Sequence, residues 1–132
     1  MNADAAMYTI LKSDSTVTGL VGYRIYPSEA VPKSAPLPYI TYERTGDRPV
    51  QLMGGVADLY TTYYDVDIFS KSKLELNSIE NAIIGALRDY SGTVASTVVQ
   101  WIFIEDSYYV GFDEEVETYN HAIEFTVWHE GD

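Results

Sequence analysis

Between Tyr60 and Tyr90 the spacing of the apolar residues changes once, and that change limits what the chain can fold into. Up to Ser70 the pattern alternates. Tyr60, Thr62, Tyr64, Val66 and Ile68 fall on one face of a strand, and Thr61, Tyr63, Asp65, Asp67 and Phe69 on the other. From Leu76 onward the spacing is three and four: Leu76, Ile79, Ile83, Ala86, Leu87 and Tyr90 form one helical stripe. A strand with one wet face, followed at once by an amphipathic helix, predicts a sheet with that helix laid on its apolar side. Ser72-Lys73-Leu74-Glu75 reads as a capping box at the helix start, and Gly92 as its stop.

The flanking segments extend this picture. Residues 3–12 predict a short helix with Ala6, Met7, Ile10 and Leu11 on one side. Ser15 or Thr16 is a candidate cap for a second short turn that ends at Gly22. Arg24-Ile25-Tyr26 reads as a short extended piece. Pro27, Pro32, Pro36 and Pro38 make the next stretch a stiff connector, since each proline fixes its own torsion and biases its predecessor. Tyr39–Arg44 alternates as a strand, and 45–57 reads as a long Gly-rich loop or hairpin tip holding Val50, Leu52 and Met53. Thr93–Ile104 reads as a strand, Glu105–Glu115 as a turn region, and Val116–His129 as a last long strand. The expected fold is α+β: a mostly antiparallel sheet, one main helix packed on a face, and a short N-terminal helical segment. With 132 residues the chain is expected to form a single domain, 1–132.

Composition removes whole classes of chemistry. There is no cysteine and there are only two histidines, His121 and His129, so thiolate and histidine-cluster metal sites are not expected. His121 shares a strand face with Ile123 and reads as a buried, hydrogen-bonded group, while His129 near the terminus reads as exposed. Asp65 and Asp67 are a carboxylate pair without a third ligand or a partnering base, which leaves a wet strand face or a contact with a neighbouring subunit. The formal charge of −12, from 20 acidic and 8 basic residues, repels nucleic acid at long range and argues against a DNA-binding regulator. Twelve tyrosines suit either protein interfaces or strand faces with wet hydroxyls. No apolar run reaches the ~20 residues needed to cross a bilayer, and the acidic N-terminus lacks a signal-peptide flank, so a cytoplasmic site of synthesis is expected.

The ordered stretches Thr9-Ile10-Leu11, Val17-Thr18-Gly19-Leu20-Val21-Gly22, Arg24-Ile25-Tyr26-Pro27, Leu37-Pro38-Tyr39-Ile40-Thr41-Tyr42 and Tyr64-Asp65-Val66-Asp67-Ile68-Phe69, with the helix that follows, carry a family likeness. In that order the chain resembles the tail completion (tail terminator) proteins of long-tailed bacteriophages. The resemblance implies a non-enzymatic virion protein at the head–tail junction, assembled in the host cytoplasm. It implies a homohexameric ring that caps the tail tube, ends its polymerisation and meets the head's completion or connector protein. The major tail tube protein is then a partner, DNA passes through the hole without specific binding, and neither cofactor nor membrane is involved.

Within this reading Arg44, Arg48, Leu52 and Met53 are the candidate contacts with a neighbouring subunit or the tail tube. Arg48, in the Gly-rich stretch, is the best candidate for a bidentate contact, with an intramolecular or exposed pair as the alternative. Asp113, Glu114 and Glu115 are the candidate lining of the DNA channel, with an ordinary solvated run as the alternative. A neck adaptor, or a small binding module with a groove between sheet and helix, remains open as a different function.

Overall fold

The structure, a computed structural model, describes residues 3–52 and 55–130, with the backbone alone described at 51, 52 and 55–58. Three helices, α1 (Asp4–Ser13), α2 (Ser15–Val21) and α3 (Lys73–Leu87), accompany six strands. These are β1 (Ile25–Pro27), β2 (Tyr39–Leu52), β3 (Gly55–Ser70), β4 (Gly92–Val94), β5 (Thr97–Asp113) and β6 (Thr118–Glu130). They form one sheet in the order β1-β2-β3-β6-β5-β4. The β1–β2 pair is parallel and the others are antiparallel.

The alternation in β3 sets the face. Tyr64, Val66 and Ile68 are buried, and opposite them on β6 so are Phe125, Ile123 and His121. Helix α3 covers them with Leu76, Ile79, Ile83 and Leu87, all buried to within 1% exposure. Burying four large aliphatic side chains contributes roughly 6–12 kcal/mol before entropy is counted. Met7, Ile10 and Leu11 of α1 and Val17 and Val21 of α2 join the same core.

Local chemistry explains where the helices begin and end. Asp14, not Ser15 or Thr16, caps α2: its carboxylate accepts from the amides of Thr16 and Val17, both at 3.0 Å. A charged acceptor there serves two orphan amides at once. Ser72 Oγ accepts from the Glu75 amide at 3.3 Å, as the capping box requires. The reciprocal half runs through Ser70 instead. Its hydroxyl donates to Glu75 Oε1 at 2.6 Å and accepts from the Ser72 amide at 3.2 Å. The C-terminal end differs from expectation. Helix α3 stops at Leu87, and Asp89, at φ +60°, turns the chain so that its amide donates to the Ile102 carbonyl. Gly92 therefore opens β4, and a turn with positive φ at Ala95 and Ser96 splits the expected 93–104 strand into β4 and β5.

Two further segments are longer strands than the sequence suggests. The stretch 45–52 is not loop but the second half of β2, paired with β3 as far as Leu52 opposite Gly55. Pro49 is tolerated because β2 pairs with β1 only through Ile40–Tyr42, so beyond that it is an edge strand with no ladder partner on one side. Likewise Glu105–Asp113 continues β5, with register shifts at 99/101, 104/106 and 109/111. Each bulge inverts the phase of the alternation and hides the strand from a period-two reading.

Candidate assembly surfaces

The sheet has one face under helices and one face on which, among the described residues, no helix packs. Strand register brings four acids from four strands into a line across that open face. Glu43 of β2 faces Asp65 of β3, Asp65 faces Glu124 of β6, and Glu124 faces Asp106 of β5. Directly paired residues share a face with Cβ atoms ~5 Å apart, so like charges here oppose each other. Asp67 lies on the same face one pleat along β3. Tyr108 donates its hydroxyl to Glu124 Oε2 at 3.3 Å, and Thr126 donates to Glu105 Oε1 at 2.8 Å.

The electrostatic consequence is legible in the carboxyls. Partial burial, then the charges of Glu124 and Glu43, pushes Asp65 above the usual carboxylate range. Partial burial, then Asp65 and Glu43, does the same to Asp67, against a smaller opposing effect of His121. A carboxyl with a raised folded-state value holds its proton more tightly in the fold than in the unfolded chain. Its contribution to stability is therefore best at low pH and falls as pH rises from 3.8 through the folded value. Asp65→Asn is expected to raise the melting temperature at pH 7, by no more than about 0.5 kcal/mol in stability, and to change it less at pH 4. Paired thermal melts of variant and parent at the two pH values check this; a variant that is less stable at pH 7 would refute the repulsion.

The two long borders of the sheet are open. Strand β4 reaches only Thr97–Val99 and the Asp89 amide takes the Ile102 carbonyl, so β5 from Phe103 to Asp113 is paired on one side. On the other border β2 from Glu43 to Leu52 is paired only with β3. The β5 border carries exposed aromatics. Trp101 and Phe103 stack at 4.8 Å on the open face, 48% and 38% exposed. Tyr108, Tyr109, Val110 and Phe112 follow, all exposed.

The residues singled out in the sequence are dispersed over this frame. Arg44 points to the helix-bearing face, 3.9 Å from Asp4 and 3.2 Å from Asp47, so its guanidinium is engaged within the chain. Arg48 is exposed on β2 and its side chain makes no hydrogen bond or ion pair with the described residues. Leu52 ends β2, and Met53 lies outside the described residues. Asp113 ends β5, where its carboxylate accepts from the Glu115 amide at 3.0 Å; Glu114 and Glu115 are in the exposed turn before β6. The three acids line an open groove of about 1020 Å³ with Lys33, Leu37, Phe112 and Asn120. That groove sits at the β5–β6 turn; core side chains fill the space between the sheet and α3, and a smaller open hollow of about 250 Å³ lies at the rim among α1, the end of α3 and Val94 of β4.

Neither histidine forms a catalytic arrangement. His121 is buried as expected, with Ser107 Oγ at 2.8 Å and Glu80 Oε2 at 3.0 Å from the same ring nitrogen, Nε2. The Ser107 hydroxyl donates to Glu80, and serine and carboxylate meet the same ring nitrogen, so the carboxylate does not stand behind the ring as an orienting group would. The trio fastens α3 to β5 and β6. His129 is not exposed but fully buried, 2.6 Å from Thr62 Oγ1. Its place opposite Tyr60 in the register, on the core face of β6, accounts for that. Among the described residues no group of three or more His, Asp or Glu side chains is placed to hold a metal ion. No described helix is long and apolar enough to cross a membrane.

Open sheet borders and an uncovered acidic face are features met among structural assembly proteins. The comparisons place this chain within that class. The family described as Tail completion protein gp17 matches residues 5–130, and the chain belongs to that family. It is thus a structural virion protein of the phage-tail type. No curated protein matches the sequence. Among solved structures, a chain of the virion of a native gene transfer agent particle has the same fold, with a TM-score of 0.77 and 16% identity over 98% of this chain and 100% of that one.

Proposed function

We propose that copies of this chain form a ring, expected to be hexameric, at the head-proximal end of a phage-type tail. The ring ends polymerisation of the tube and presents a surface to the head's completion or connector protein, and DNA passes through its hole. The observation that carries this reading is the family match over nearly the whole chain, residues 5–130. The uncovered acidic face supports it from a different direction. Five carboxylates held on one face, two of them disfavoured as charges by partial burial and then by their neighbours, do not serve stability. A wall that DNA slides past without adhering gives them a purpose. In this arrangement Asp113, Glu114 and Glu115 stand at the channel mouth, and β2 with Arg48 and Leu52 faces a neighbouring subunit or the tube.

Electron microscopy of particles assembled with this gene disrupted tests the assignment. Overlong tails unattached to filled heads are the expected result. Tails of normal length that fail to join heads would transfer the chain to a neck-adaptor role, and normal virions would remove it from the junction altogether.

A further inference from the structure

We infer that successive copies join border to border: the free length of β5 in one copy pairs with the free length of β2 in the next, so that the inner wall of the ring is one continuous sheet. This rests on the ring reading above and names the surface that builds it.

Each open border presents unpaired N–H and C=O groups over many residues, Phe103–Asp113 on β5, beyond the Ile102 carbonyl that the Asp89 amide takes, and Glu43–Leu52 on β2. Proteins that remain monomeric blunt such borders with short strands, lysines or a covering segment. Strand β5 has three bulges, which such proteins also use, but it is 17 residues long, contains no lysine and carries a row of exposed aromatics. On β2 only Pro49 withholds a donor, which confines a new ladder chiefly to Glu43–Arg48.

Strand direction then selects the pairing. The four long strands β2, β3, β6 and β5 run alternately up and down. Rotation about an axis along the strands brings β5 of one copy beside β2 of the next in antiparallel orientation, and the alternation continues unbroken. The contact is heterologous, so rotation can close it into a ring. The helices α1, α2 and α3 all lie on one face. They take the outside, and the acidic row takes the inside.

The side chains at the two borders are complementary. Through the pairs Arg48–Thr61, Thr61–Trp128 and Trp128–Trp101, Arg48 falls on the same face as the Trp101–Phe103 stack and Asp106. Its guanidinium, unpartnered among the described residues, meets carboxylates and aromatic faces on the border of the next copy.

The absence of cysteine from the chain makes the test clean. Glu43→Cys or Arg48→Cys on β2 is combined with Phe103→Cys or Tyr108→Cys on β5, and purified virions are mildly oxidised. A covalent ladder extending past the dimer in at least one double variant, with every single variant monomeric, is the expected result. A dimer from a β5 single variant would overturn the inference, because it would mean that β5 pairs with β5. Amide hydrogen exchange on the unsubstituted protein is the second readout. Amides along both borders are expected to exchange at least about tenfold more slowly in virions than in the isolated chain. Equal exchange in the two states would overturn the pairing. A ladder together with normal tail length after gene disruption would leave the pairing standing and remove the terminator role; overlong tails with unprotected borders would do the reverse.

Discussion

Ile83→Asp is expected to leave no cooperatively folded protein. Ile83 is fully buried in α3, on the stripe that also holds Leu76, Ile79 and Leu87, and it faces the sheet residues of the core. The substitution removes about 2–3 kcal/mol of transfer free energy. It also places a carboxylate where no cation is at hand, at a cost of several kcal/mol more whether the group stays charged or takes up a proton. Against a total stability of ~5–15 kcal/mol that sum is decisive. Ile83→Val serves as the control, since losing one methylene costs only about 0.5–1.5 kcal/mol. A thermal melt and the soluble fraction on expression are the measurements. A sharp melt near the parent's temperature for the aspartate variant would place Ile83 outside the core.

Helix α3 was legible in the sequence because one physical cause, burial against a sheet, writes itself into residues only three and four apart. The same holds for β3 and for the inward set Ile123, Phe125 and Val127 of β6, all buried. The failures have equally definite causes. Gly46 and Pro49 signal a loop to any local reading, yet β2 absorbs both, with register shifts at Arg44/Gly46 and Pro49/Gln51 and one side unpaired. Three bulges in β5 scramble the alternation that would have marked Glu105–Asp113 as strand. The burial of His129 is hidden from the sequence because proximity to the terminus says nothing about strand register, and register puts it on the core face beside Thr62. The acidic row is the clearest case. Asp65 and Asp67 were visible as a pair, but Glu43, Glu124 and Asp106 come from other strands far along the chain, and only the pairing aligns them. The densest acidic run in the sequence, Asp113–Glu115, lies instead in and beside a turn, where Asp113 serves the local backbone.

Reversing the charge at the centre of that row is expected to give the largest functional effect. Asp65→Lys, Asp67→Lys and Glu124→Lys together lie on the two central strands, β3 and β6, away from both open borders and from the core face. Each replacement adds two charges, so three shift the chain from its formal −12 to −6. They also turn two of the row's three facing pairs, those with Glu43 and with Asp106, into opposite charges while the central pair stays alike, and lysine stems long enough to carry the ammonium group to water limit the strain. The fold should therefore melt no lower than the parent, and tails should reach normal length, because neither border is touched. DNA meets a different wall. Each copy now offers ammonium groups to phosphates, and in a ring these repeat around the whole channel. Phosphate contacts of this kind hold DNA with a strong dependence on salt. DNA delivery per particle is expected to fall at least about tenfold at low salt and to recover as salt is raised. In a gel-shift assay the isolated variant should retard DNA where the parent does not. Delivery at the parental rate from structurally normal particles would show that DNA never meets this face, and the acidic row would then have to be explained by contacts with another protein.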